Sequence, residues 1–496
     1  LRVITLLLAA ALPALPQAPV LSAVVSAADN SDAGLGLAPG SLFTIYGQNL
    51  ADGTRVRIHT ASAELEASPL YISATQINAA VPAAAPLGTV EISVATAAGE
   101  SRRVAVPIVA TRFTAFTVAG RPFGPARILQ RSGAEFRANR LLDPSHTGQE
   151  ILIWGTGLGG LLRGDVTVSI GLLSVKPFYA GPAFGFPGVD QIGLILPQGV
   201  ANNCFVPFTV DAGRARSSVY TMSIAGTGGQ CSIPFALGRE GLETLDDGGS
   251  VRITGMTVHE HVAEAWAGEY DAAHLSQLAT YDLQPFGADV SCSRRAYGYA
   301  RFDSPLLTLL PAEAYGLRRV PEAVEPSVSG PGGCAWNFTL ASDGVYRAAA
   351  PPECPPRNYM LRKPGTVFLS AGNVPFDVPL PPMPPVTFDR VTGAVSWQEN
   401  FSSRLTLEIS SSFTLPGNIF SGQTSVRELS CRLSGNYGAG QLSEADLAWA
   451  LGLPSNHSIA YRQWNGGLIG GSWGGPDEAL FVRILRVQEQ SVPENP

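Results

Sequence analysis

The chain has 496 residues, 45% of them hydrophobic, which is too long for one sandwich core and enough for three or four of roughly 100–150 residues each. Only 15% of residues are charged, the net charge is −7, and no cluster of Lys and Arg stands out, which excludes the basic footprint of a nucleic-acid binder. With 54 Gly, 39 Pro and 4 Met, the chain is punctuated too often for long helices and predicts an all-β protein of many short strands.

In chain order, residues 1–18 read as a signal peptide. Arg2 supplies a positive start, residues 3–12 an apolar run, and residues 13–18 a helix-breaking stretch with small side chains. The apolar run falls short of the ~20 residues that span a bilayer, and no later segment reaches that length, so no transmembrane span is expected after cleavage.

Two similar units follow, 19–110 and 111–236. Near the start of each comes an apolar strand ending in aromatic-Gly, at Tyr46-Gly47 and at Trp154-Gly155. Each ring is expected to cover an end of the core, and each glycine to take a positive φ where the chain turns back. Mid-unit comes a Gln-Ile strand closed by proline, from Gln76 to Pro82 and from Gln191 to Pro197. Near the end comes a hairpin, turning at Gly99 and at Gly213, and the alternation of Val90, Ile92 and Val94 with polar residues is the period-2 mark of a half-buried strand. Landmarks repeated in one order predict tandem immunoglobulin-like β-sandwich domains with short helical insertions.

These residues resemble a known family. The stretches 24–28, 38–50 and 74–82, with Trp154 to Leu158, Asp190 to Gly193 and Ser217-Ser218, look like a family of secreted domains of Solibacter-type Acidobacteria. The run from Pro39 to Leu50 also resembles the IPT/TIG immunoglobulin-like domain. The likeness covers about residues 20–235 and implies fold and an extracytoplasmic compartment, since that family has no assigned activity.

Beyond residue 236, a β-rich domain is expected over 237–383 and a C-terminal β-sandwich over 384–496, divided at the Pro-rich stretch 379–385. Residues 240–250 read as a Gly/Asp-rich linker, Asp343-Gly344 as a hairpin turn, 443–451 as a short helix, and 261–281 as either helix or strand. Six cysteines in an exported chain predict three disulfides. Cys204 pairs with Cys231 inside the second unit. Cys292, Cys334 and Cys354 precede the Pro-rich stretch and Cys431 follows it, so either a bridge crosses it or two thiols stay free. Cys334–Cys354 and Cys292–Cys431 are the expected pairs.

Motifs with chemical meaning fail on context. Gly155, Gly157 and Gly160 fit G-x-G-x-x-G after a strand, but no helix pattern follows to meet a pyrophosphate. Gly470, Ser472 and Gly474 fit G-x-S-x-G, but the last histidine, His457, precedes the serine. His259 and His261 would share one face of a strand without a third ligand, and the polar run from Asp29 to Gly34 lacks the downstream glutamate of a calcium loop. No catalytic, cofactor-binding or metal residue is therefore assigned, and no cofactor. The expectation is a non-catalytic binding, adhesion or structural protein of the bacterial cell exterior, with an extracellular protein or a glycan as partner. The alternative is a secreted hydrolase whose site lies in the C-terminal half, with Glu264, Glu269 and Asp271 as candidate carboxylates. Trp397, Trp464 and Trp473 would stack on sugars if exposed and otherwise belong to the core.

Overall fold

A computed structural model describes residues 17–258 and 262–280, apart from 52, 162, 172, 201, 214, 227–228 and 233–236. It further describes 291–298, 318–319, 324–362 (without 355 and 357), 387–396, 404–414, 424–434, 439–442, 447–448, 451, 456–472 and 478–491. The expected signal segment falls outside these residues except for its last two positions, and the expected helix at 443–451 falls mostly outside them.

The first unit consists of β1 (Val20–Ser26), β2 (Leu42–Gln48), β3 (Arg55–His59), β4 (Glu64–Ile72), β5 (Gln76–Ala80), β6 (Gly88–Thr96), β7 (Gly99–Glu100) and β8 (Val104–Ile108). They lie in the order β1-β2-β5-β4-β3-β6-β7, with β8 beside β6. The first half of β4 pairs with β3 and its second half with β5, with the register shifting after Pro69, so this strand carries the chain from one sheet to the other. Phe43, Ile45 and Ile77 from one sheet meet Val56, Ile58, Ile92 and Val106 from the other in a core closed to water. Alternating side chains of a pleated strand make that possible.

The second unit repeats this plan with additions. Its elements are β9 (Thr114–Ala115), β10 (Gly124–Pro125), β11 (Ile128–Ser132), β12 (Glu135–Ala138), β13 (Ser145–His146), β14 (Glu150–Thr156), β15 (Val166–Ile170), β16 (Leu173–Val175), β17 (Tyr179–Pro182), β18 (Asp190–Ile195), β19 (Asn203–Ala212), β20 (Ala215–Arg216) and β21 (Tyr220–Ala225). One sheet runs β12-β11-β14-β18-β17 with β9 beside β14, and the other runs β10-β21-β19-β15-β16. Strands β10–β13 are inserted after the first strand of the unit, and the place of β4 is taken by two strands, β16 and β17. Tyr46 opposes Gln76 and Trp154 opposes Gln191, so the two aromatics hold the same register position. The hairpins at Gly99 and Gly213 match as well, and both glycines have positive φ.

The aromatic-Gly pair works differently from the sequence expectation. Gly47 and Gly155 do not have positive φ. A side chain at Gly47 would run into the carbonyl of Val20, and one at Gly155 into the carbonyl of Thr114 and the ring of Phe113, so close approach of the neighbouring strand requires glycine at both places. Nor do the rings cap the core. Ile45 and Ile153 fill the interior, while Tyr46 and Trp154 are half-buried and, one residue on, point to the opposite face of their sheets.

Residues 240–250, expected as a linker, are mostly helix. In α1 (Arg239–Asp246) Leu242 and Leu245 sit on one face and are buried. The segment left open between helix and strand is both, with β23 (Val262–Tyr270) preceding α2 (Ala272–Thr280). These helices, with β22 (Val251–Val258) and β23, cover the outer face of the β19–β21 sheet. Phe205 and Ala225 there share a core with Leu245, Trp266, Tyr270 and Leu275. Hence β21 is buried along its whole length, YTMSIA, instead of alternating.

The remaining strands are β24 (Ser291–Gly298), β25 (Arg318–Arg319), β26 (Glu325–Ser329), β27 (Thr339–Leu340), β28 (Tyr346–Ala349), β29 (Asn358–Arg362), β30 (Thr387–Phe388), β31 (Ala394–Ser396), β32 (Arg404–Thr414), β33 (Thr424–Ser434), β34 (Ala439–Gln441), β35 (Asn456–Ser472) and β36 (Glu478–Ser491). A ten-stranded sheet runs β24-β33-β32-β35-β36-β22-β23-β28-β27, with β25 beside β23. It draws strands from both sides of residue 383, so the expected division there does not coincide with a break between sheets. The parallel pairing of β22 with β36 and the antiparallel pairing of β24 with β33 join the two halves. Disulfides link Cys204 to Cys231 (Cα–Cα 4.8 Å) and Cys334 to Cys354 (6.0 Å).

Candidate functional site

Outward-facing positions of the β12–β17 sheet carry aromatic and aliphatic side chains where a solvated sheet carries polar ones. Trp154 meets Phe186 edge to face, with ring centroids 5.4 Å apart at 82°. Phe178 lies over Gly193, and a side chain at 193 would collide with its ring. Phe178, Tyr179 and Phe186 are 43%, 39% and 54% exposed, and Phe184 is 99% exposed, so four aromatic rings face water within nine residues. The first unit repeats the theme on its matching strand. Tyr71 opposes Asn78 as Tyr179 opposes Gly193, and Leu70, Tyr71 and Ile72 are all exposed.

Trp154 also walls a cleft of about 350 Å³ between this sheet and the two helices, at the lower end of ligand-pocket size. Phe116, Leu129, Leu141 and Leu245 supply further apolar wall. Its polar groups divide into spent and unspent. The Asn139 amide donates to Ser145 Oγ and the Ser223 carbonyl and accepts from the Ser223 N–H. Asp246 accepts from the N–H groups of Leu141 (2.9 Å) and Leu142 (3.0 Å), and burial pushes its carboxyl pKa up against those bonds. Arg140 stands 4.0 Å from Asp247 with a side chain 55% exposed, and Arg127 pairs with no carboxylate among the described residues.

The seam between the two units is polar and closed. The Tyr220 hydroxyl donates to Asp29 Oδ2 at 2.7 Å, both residues being fully buried. Burial first, then the Asp29 carboxylate, drives the Tyr220 pKa well up. Asn30 donates to the Gly120 carbonyl, Ser26 meets Thr114, and Thr156 accepts from the Leu42 N–H. The Asp29–Gly34 loop is thus spent on holding two sandwiches together.

The candidate carboxylates of the C-terminal half do not converge. Glu264 is fully buried and accepts from Arg347 Nε at 2.8 Å, and Arg347 is held in turn by Asp343. Asp343, then Glu264, keeps that guanidinium firmly protonated against burial. Glu269 lies five residues along the same strand from Glu264, hence on the opposite face. Asp271 accepts from the His274 N–H and Nδ1 at the start of α2; burial works to raise its pKa, but those bonds and the Arg121 charge hold it low. After Gly160 comes a single 3-10 turn and then β15, not a helix. Ser472 lies at the end of β35, paired with Ala479, and not on a strand-to-helix elbow. His259, His261, Trp397 and Trp473 lie outside the described residues, and Trp464 opposes Arg404 and Val487 in the large sheet. The aromatic cluster was missed in the sequence. Its signal was a Phe-, Gly- and Pro-rich run, 178–187, with no alternation to bury it.

An IPT/TIG domain is found at residues 36–104, by match to the model of that family. No curated protein matches the chain in sequence. Among solved structures the chain is similar to SGBP-B of a Bacteroides ovatus mixed-linkage glucan utilization locus, in complex with a mixed-linkage heptasaccharide, at 15% identity and a TM-score of 0.23 over 39% of this chain and 46% of that one. It is similar to domains 5–6 of the S-layer protein SbsC at 15% identity and 0.21, over 42% and 99%. A third is SGBP-B from a complex xyloglucan utilization locus of Bacteroides uniformis, at 9% and 0.18 over 86% and 100%. The chain spans under half the length of the first of these.

Proposed function

We propose that the chain is a non-catalytic binding protein of the bacterial cell exterior, which holds a glycan on the aromatic outer face of its second sandwich. The observation that carries this is the group Phe178, Tyr179, Phe184 and Phe186 beside Trp154. Exposed rings carried by a loop and strand end beside a rigid sheet mark a recognition surface, and flat rings suit the C–H faces of sugars. The two disulfides support a compartment outside the cytoplasm, which accords with a leader at 1–18; membership of the secreted Acidobacterial family is part of the proposal and rests on the sequence resemblance alone. In this reading 19–110 and 111–236 are the recognition units, and the residues beyond 236 are a scaffold that covers the opposite sheet. A protein partner remains the competing occupant of the face.

A glycan array with the purified chain tests the reading, alongside a pull-down from envelope material. Retention on one class of polysaccharide is expected, with at least about tenfold loss in the Phe184→Ala/Phe186→Ala double variant, on the scale of aromatic stacking contacts to nucleobases, each worth about 1–3 kcal/mol. Capture of a protein with no array signal transfers the face to a protein partner. The absence of both signals overturns the reading.

A further inference from the structure

The cleft beside Trp154 differs in chemistry from the open aromatic face next to it. Its walls are apolar, from Phe116, Leu129, Leu141, Trp154 and Leu245. A polyhydroxylated ligand needs acceptors as well as donors, and here both Asn139 amide hydrogens are used, while the Asn139 oxygen and each Asp246 oxygen already accept one backbone N–H, which leaves the cleft richer in free donors than in free acceptors. What is left to meet a ligand is a set of donors: the guanidinium groups of Arg127 and Arg140, and the buried indole N–H of Trp154, which has no hydrogen-bond partner among the described residues. Arg127 has no carboxylate partner among the described residues, and Arg140 is only loosely drawn to Asp247 at 4.0 Å. An unpaired guanidinium at Arg127, a loosely paired one at Arg140 and an unpartnered indole N–H at an apolar cleft complement an anion with an apolar body, because a guanidinium grips a carboxylate through two parallel N–H bonds while the body displaces water from the walls.

We infer that this cleft binds a small amphipathic carboxylate, an aryl- or alkyl-carboxylic acid, with its apolar body against Trp154 and Phe116 and its carboxylate between Arg127 and Arg140. The cleft adjoins the proposed glycan face at Trp154, but its assignment does not rest on that reading. The volume of about 350 Å³ limits the ligand to a small molecule.

Calorimetric titration of the full chain with 3-phenylpropionate and octanoate, each against its neutral amide, tests the assignment. The carboxylates are expected to bind with one-to-one stoichiometry and the amides at least about tenfold more weakly, as the loss of a charge-assisted bidentate contact requires. Arg127→Gln and Arg140→Gln, both on exposed side chains that leave the core intact, are each expected to weaken the carboxylates about tenfold and leave the amides unchanged. Leu129→Trp, which fills the cleft, is expected to abolish binding of all four. Equal affinity for acid and amide, indifference to both arginine substitutions, or no saturable binding of either carboxylate overturns the assignment.

Discussion

At the scale of single residues, glycine positions separate two meanings of one motif. A dinucleotide loop needs Gly155, Gly157 and Gly160. The fold needs Gly155, Gly157 and Gly159, whose added side chains would strike the carbonyls of Thr114, Arg112 and Ala110 in turn as the strand end runs along the segment joining the two units. Gly157 and Gly159 also have φ of +97° and +62°. Gly157→Ala should therefore cost about 3 kcal/mol or more in urea unfolding, combining left-handed strain with overlap. Gly160→Ala, with nothing within 4 Å, should stay within about 0.5 kcal/mol. Equal sensitivity at 157 and 160 would contradict this account of the turn.

Tyr220 and Asp29 make a second residue-scale case. Removing the hydroxyl in Tyr220→Phe leaves a buried carboxylate oxygen without its donor, at a cost of about 1–3 kcal/mol. The pH dependence has a definite sign. The unfolded phenol loses its proton near pH 10, while the folded one, buried against Asp29, keeps it. The folded state then holds more protons, so the contribution is complete below about pH 10 and is lost as pH rises beyond it. Stability measured from pH 8 to 11 should fall more steeply in the parent chain than in Tyr220→Phe.

At the scale of elements, the landmarks of the repeat were legible because strand register is a sequence property. The aromatic and the glutamine recur together since they oppose one another across two strands in each unit. What sits outside the pleat was less legible. The α1 helix hid within a Gly/Asp-rich composition because its two buried leucines, Leu242 and Leu245, are too few to show a period. Gly47 and Gly155 were recognised as special for the wrong reason, since crowding by a neighbouring strand leaves no local trace. The aromatic face escaped because exposure of Phe184 and Phe186 depends on where a loop lies, not on alternation.

Register also yields an element-scale prediction. Cys292 stands directly opposite Cys431 in the antiparallel pair β24–β33. Opposed residues in such pairs have Cα atoms about 4.5–5.5 Å apart, inside the span a disulfide bridges. Peptide mapping of the unreduced protein should recover the two cysteines in one cross-linked peptide. Recovery of both as alkylated free thiols would leave the chain with two bridges and refute the pairing.

At the scale of the whole molecule, composition and repeats indicated stacked sandwiches, yet the large sheet passes over the expected division at residue 383. Pro-rich stretches mark breaks in local structure, but a parallel pairing such as β22 with β36 is made between segments more than two hundred residues apart and leaves no nearby signal. The same long-range closure determines how the parts depend on each other. The outer face of the β19–β21 sheet carries Phe205 and Ala225, which are covered only when α1, α2 and β23 pack against it. A fragment of residues 17–236 keeps both sandwich interiors but loses that cover. Exposing Phe205 and Leu141 forfeits roughly 1.5–3 kcal/mol each in the area-transfer picture, a large share of the stability of a small domain. The fragment should therefore melt below the full chain and bind a hydrophobic dye that the full chain does not. Phe205→Ser within the fragment should lower dye binding while leaving the disulfide between Cys204 and Cys231 intact. If fragment and full chain melt together and neither takes up dye, the helices are an ornament on a self-sufficient tandem and not the third layer of its core.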